Sequence, residues 1–253
     1  MAINNKVENL KDFYMKRYPS VITDSIWKKM RKMDRDNFLS VPQQTVIEKE
    51  KIYQVLSGGL VDSESFARAI ASYPQIVRQD TDKINYFIEL FSKYNYTKED
   101  FFKALLGCSV ILGCKLNKIE KLLQILPSLG IDRSDIIENS QILTCNPEEV
   151  RLKYMLSDII GISKKSFING NFKQSLDKTF ARFKVMQDRR IQRSPNFIYR
   201  GEKEFYAVVK DSTAKLVDLY PFTMAEKQKI FEMFAQNHTE LALEPLSKEE
   251  LIL

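Results

Sequence analysis

Glycine and proline are scarce, eight of each in 253 residues, roughly half their usual share. Sheet proteins need turn residues every few positions, so the shortage predicts helices joined by short connections. Histidine occurs once, at His238, and cysteine three times, at Cys108, Cys114 and Cys145. These counts exclude a zinc finger, a histidine-rich metal site and a disulfide scaffold. A histidine-based triad would have to use His238, and nothing beside it suggests a nucleophile. Neither common glycine-rich phosphate loop is present. With no catalytic motif and no cofactor motif, the chain reads as non-enzymatic, although a carboxylate or lysine site would leave little trace. No apolar run approaches the ~20 residues of a membrane helix. The first residues carry Lys6, Glu8, Lys11 and Asp12. That pattern has no apolar core for a secretory signal and too much acid for a mitochondrial transit peptide. Three cysteines outside any C-x-x-C pattern fit a reducing compartment, as small buried hydrophobes. The expectation is a soluble cytoplasmic protein.

What is abundant is helical periodicity. Apolar residues make up 44% of the chain and charged ones 28%, enough to bury a core. Val7, Leu10, Phe13 and Tyr14 recur at helical spacing, and a second helix follows Asp24, with Trp27, Met30 and Met33 as its apolar edge. Lys28, Lys29, Arg31 and Lys32 crowd the rest of that helix. From residue 47 the pattern repeats. One unit runs Ile47 to Leu56, breaks at Gly58-Gly59, restarts near Phe66 and closes on Pro74-Gln75-Ile76-Val77. The next closes on Val110-Ile111-Leu112 after Cys108, and the third on Gln141-Ile142-Leu143 after Ser140. A fourth opens at Val150, turns at Gly161 and restarts near Phe167. Such a period predicts paired helices stacking into a short solenoid. Gly130 and Gly161 sit where a left-handed residue would end a helix, and Asn146-Pro147-Glu148-Glu149 is a helix start. The carboxylate pairs Glu148-Glu149 and Glu249-Glu250 are explained by the helix dipole without acid–base chemistry.

These repeats resemble the mitochondrial transcription termination factor family over roughly residues 47–185. The resemblance rests on Leu129-Gly130-Ile131-Asp132, Ile160-Gly161-Ile162-Ser163 and Pro74-Gln75-Ile76-Val77. It implies repeats of two helices and a 3₁₀ turn, and a concave side whose basic residues grip a nucleic-acid duplex. Proline holds the closing position only at Pro74, and the second helix of the third unit reads about one turn short.

Charge is concentrated rather than large. The chain is +6 in net formal charge, yet residues 161–200 alone hold 10 basic and 2 acidic side chains. A polyanion is the natural partner for such a stretch. Read as a helix over residues 178–193, the segment sets Phe180 and Ile191 within about 20° of each other. Arg182, Arg189 and Arg193 then fall within about 40° of one another on the opposite side. One face would dock and a guanidinium row would face out to phosphates. Arg190 and Arg200 add charge, Lys164, Lys165 and Lys173 extend the patch, and Phe197 and Tyr199 are candidates to stack on unpaired bases. The alternatives are a plain solvated helix face, or an acidic protein or membrane surface as partner.

The tail, Leu243 to Leu253, is acidic and apolar at its end. It looks like the glutamate-rich export signals of type IV-secreted bacterial effectors. The same residues read equally well as a capping box from Ser247 to Glu250. If the export reading held, the solenoid would be a protein-docking surface acting in a host cell. The expected organisation is all-α: N-terminal helices over 1–41, a helical-repeat domain over 42–200 ending in a basic helix, and a helical cap with an acidic tail over 201–253. The leading reading is a nucleic-acid-binding repeat protein, with a protein-interaction module as the runner-up.

Overall fold

The computed structural model describes residues 11–29, 36, 40–241 and 243–252. Lys6, Val7, Glu8, Leu10, Met30, Arg31, Lys32, Met33 and Leu253, named above, lie outside the described residues. Among the described residues every regular element is helical. The chain divides into two compact units, Met1–Glu120 and Lys121–Leu253.

In the first unit, residues 11–17 (α1) and Asp24–Lys29 (α2) precede two repeats. Gln43–Leu56 (α3) and Ser63–Ser72 (α4) close on a 3₁₀ turn at Pro74–Arg78, and Thr81–Lys93 (α5) and Lys98–Gly107 (α6) close on another at Ser109–Gly113. Tyr14, Tyr18 and Trp27 are buried. Arg17 and the Tyr18 hydroxyl converge on the buried Glu50 carboxylate of α3, at 2.7 and 2.8 Å, tying α1 to the first repeat. Phe101 and Phe102 form core with Phe87 and Phe91, the Phe91 and Phe101 rings meeting edge to face at 5.4 Å.

The third repeat comprises Leu116–Ser128 (α7), Arg133–Glu138 (α8) and a turn at Ser140–Thr144. At six residues, α8 is short by about a turn beside α4 and α6. The fourth is Pro147–Ile160 (α9), Lys164–Ile168 (α10) and Asn171–Lys173. Beyond it lie Leu176–Asp188 (α11), a turn at Pro195–Tyr199, and Glu202–Val209 (α12), Thr213–Leu219 (α13), Met224–Asn237 (α14) and Lys248–Ile252 (α15). The Asn146 side chain caps α9 as expected, accepting from the Glu148 and Glu149 amides at 3.0 and 3.1 Å.

Two devices recur along the repeats. The first ends the leading helix. Gly58, Asn95, Gly130 and Gly161 take left-handed φ of 65°, 61°, 73° and 88°. In each case the next amide turns back to the carbonyl five residues earlier, as Ile131 does to Leu126 at 3.1 Å and Ile162 to Ser157 at 2.9 Å. This places Ile131 and Ile162 in the core, which is why the motif reads glycine then apolar. The second device is the closing turn, whose third and fourth residues are buried: Ile76-Val77, Ile111-Leu112 and Ile142-Leu143. The geometry corrects one register. Ser109, not Cys108, stands in the position of Pro74, because Cys108 shares the extended backbone of Tyr73. None of the three cysteines is in a disulfide, and all are half-buried rather than core. The Cys114 thiol sits 3.7 Å from the Val110 carbonyl at its turn's end.

Candidate nucleic-acid interface

The basic segment does not continue as one helix to Arg193. Helix α11 stops at Asp188, because Arg190 takes a left-handed φ of 53° and the Ile191 amide turns back to Met186 at 2.9 Å. The repeat's ending device therefore recurs here, with arginine in the glycine position. A second recurrence follows. Pro195-Asn196-Phe197-Ile198 forms a 3₁₀ turn that begins with proline, as Pro74-Gln75-Ile76-Val77 does. Residues 176–199 are thus a fifth repeat, with a loop in place of its second helix. Proline, an apolar residue and Ile198 at repeat spacing were the signal for it.

This register overturns three expected site residues. Arg182 does not face solvent: it is 4% exposed. Its guanidinium donates to the carbonyls of Ile198 and Arg200 at 2.8 and 2.7 Å, to the Thr213 hydroxyl at 2.8 Å and to Glu202 at 2.6 Å. It also lies 4.2 Å over the Phe205 ring. Burial pulls its pKa down, against the pull of Glu202. The wheel placed it opposite Phe180 correctly, but α12 and α13 cover that side as well. Phe197 is half-buried, with one face stacked on Phe205 at 5.5 Å and the Arg193 guanidinium 5.9 Å from its ring. Tyr199 is half-buried too, its hydroxyl 2.7 Å from that of Ser157, and burial raises its pKa.

Other predicted cations are also committed. Arg189 donates to the Val209 carbonyl at 2.6 Å and to Asp211 at 2.5 Å. Lys164 donates to the Gly130 carbonyl at 3.0 Å, bridging two repeats. Arg200 is exposed, with Glu204 at 3.8 Å, a distance worth little at a surface. Lys165, Lys173, Arg190 and Arg193 remain exposed, as does Lys178.

Lys173, Lys178 and Arg200 come together around a basin of about 640 Å³ between the fourth and fifth closing turns. Ser175 begins α11 there, and its side chain accepts no bond from the helix's first amides. Asp177 in that first turn is exposed and does not line the basin, and the carboxylate that does, Glu202, is held by Arg182 and Thr213. The Thr213 hydroxyl and amide, then Arg182, keep Glu202 below the usual carboxylate range. Sequence reasoning missed these supports. Lys153 is another: nearly buried on α9, it donates to the Phe172 carbonyl at 2.9 Å and so fixes the fourth turn. Nothing in their spacing announces them, because their partners lie up to 31 residues away.

The mTERF family model matches residues 2–171. The chain belongs to the mTERF family. Its helical-repeat fold is the family's, and the fifth repeat lies beyond the matched residues. No curated relative matches the chain. Among the described residues of this mTERF protein, no helix is long and apolar enough to cross a membrane.

The single histidine serves as a tie. His238 Nε2 lies 2.8 Å from Asp158 of α9 and Nδ1 lies 3.3 Å from Glu240, with the ring over Phe234 at 4.4 Å. The hydrogen bond to Asp158, and then Glu240, raise the imidazole pKa against partial burial. A raised folded pKa means the stabilisation is fully present below the unfolded imidazole value of about 6.5. It is lost as pH rises through the folded value. Thermal unfolding from about pH 6 to about pH 9 should therefore show the wild type losing stability that His238→Gln does not lose. Parallel profiles would refute the tie.

Proposed function

We propose that this mTERF-family chain is a non-enzymatic nucleic-acid-binding protein that grips the phosphate backbone at the basin. The observation that carries the reading is the convergence of Lys173, Lys178 and Arg200 on an uncapped helix start, inside the stretch with ten basic and two acidic residues. Lysine and arginine offer multiple donors to phosphate oxygens, and each neutralised phosphate releases counterions. The start of α11, which no side chain caps, adds the positive end of a helix dipole. Lys165 extends the same charge. Arg182 lies beneath the basin and holds Arg200 and the Pro195–Tyr199 turn in place, so it positions the site without touching phosphate. Family membership supports the same ligand class.

Fluorescence anisotropy of labelled duplex DNA, single-stranded DNA and RNA across a salt series tests this. Log affinity should fall linearly with log salt, with a slope of about −0.9 for each phosphate engaged on a duplex. The triple variant Lys173→Glu, Lys178→Glu, Arg200→Glu should flatten that slope by roughly 2–3 and weaken binding about 100-fold at low salt. Reversing Arg189 would instead break its bonds to Val209 and Asp211. Salt-independent binding, or an unaltered slope in the triple variant, would rule the basin out.

A further inference from the structure

The Pro195–Tyr199 turn also borders a groove of about 320 Å³ that shares no lining residue with the basin. Its floor is apolar: Ile160, Phe183, Met186, Ile191 and Pro195. Arg190 and Arg193 stand exposed at its rim, and among the described residues neither is in an ion pair. The backbone at Arg190 is informative. Four repeats end their leading helix with glycine or asparagine in the left-handed conformation, the residue types that adopt it readily. The fifth uses arginine at the same position, beside the groove. Glycine there would relax the backbone, so nothing in the fold itself asks for the guanidinium.

We propose that the groove is a docking site for an acidic amphipathic helix of a partner protein. Its apolar residues fill the floor and its carboxylates pair with Arg190 and Arg193. The floor decides the class of partner. Leucine-like side chains gain by leaving water against aliphatic surface, whereas a phosphate backbone over that floor would lose hydration with no donor to replace it. Acidic groups at the rim then meet two arginines whose planar forks match carboxylates.

The probe is a fluorescent peptide about four helical turns long, with leucines three and four apart and glutamates on the other face. A scrambled peptide of the same composition serves as control. The full chain should bind the patterned peptide and not the scrambled one. Arg190→Gly with Arg193→Ser should weaken that binding about tenfold or more. Arg190→Gly alone should melt no lower than the wild type, since it relieves a left-handed residue, so lost binding would not mean lost fold. Oligonucleotide binding at the basin should be unchanged in the double variant. Equal binding of both peptides, no binding of the patterned one, or equal binding by wild type and double variant would overturn the proposal. Loss of oligonucleotide binding in the double variant would overturn it too, by making the groove part of the nucleic-acid interface.

Discussion

Replacing Arg182 with methionine should destabilise the second unit by about 3–5 kcal/mol, measured by urea unfolding. Methionine fills much of the same volume, so the effect comes from bonds rather than from a cavity. The guanidinium now satisfies two backbone carbonyls, a threonine hydroxyl and a carboxylate at once. Without it, the Arg200 carbonyl loses this donor, the Ile198 carbonyl keeps only Gln174 at 3.5 Å, and Glu202 keeps only Thr213. Each unsatisfied buried acceptor costs about 1–3 kcal/mol. Arg182→Lys should recover only part of the loss, because one ammonium cannot reach four acceptors with the geometry of a fork. A loss below about 1 kcal/mol for methionine would show that water replaces the network. The same variant should weaken nucleic-acid binding through misplacement of Arg200, without removing any basin cation.

The second large effect concerns the C-terminal tail. Arg151 of α9 donates to both oxygens of the Glu250 carboxylate at 3.1 and 3.0 Å, and to the carbonyls of Glu244 and Pro245. Glu250 is 3% exposed and also closes a capping box, accepting from the Ser247 amide at 2.7 Å while its own amide donates to the Ser247 hydroxyl at 3.2 Å. The buried Lys227 ammonium adds a bond to the Leu251 carbonyl at 3.1 Å. Arg151→Met strands a carboxylate in a buried site, an imbalance of about 3–5 kcal/mol. The tail has a cheaper escape than unfolding the unit, which is to detach. Limited proteolysis should therefore cut within residues 243–252 of Arg151→Met much faster than in the wild type. Pairing it with Glu250→Leu should restore much of the protection, because no charge is then left buried. Equal cleavage of wild type and single variant would mean that the pair does not hold the tail.

The parts of the fold legible in the sequence are those fixed by neighbours a few residues apart. Gly130 and Gly161 ended helices because an unhindered left-handed residue is needed there. Asn146 started one because its side chain reaches amides two and three residues on. The fifth repeat was hidden because Arg190 occupies the position where a glycine would have marked a helix end. Without that mark, one continuous helix to Arg193 was the natural reading of the periodicity.

The sequence by itself determined the helical class, the repeat period, the boundaries set by caps and left-handed glycines, and the concentration of positive charge in residues 161–200. All of these follow from local stereochemistry and composition. Only the tertiary structure decided which of those charges face water. A helical wheel places Arg182 away from Phe180 but cannot register that α12 and α13 cover that side too, and burial there is tolerated only because Glu202, Thr213 and two carbonyls arrive to satisfy the charge. Arg189 and Lys164 stay exposed but bond to carbonyls distant in sequence, leaving Lys173, Lys178 and Arg200 at one surface and Arg190 and Arg193 at another. A buried cation needs partners from across the fold, and sequence spacing carries no record of them.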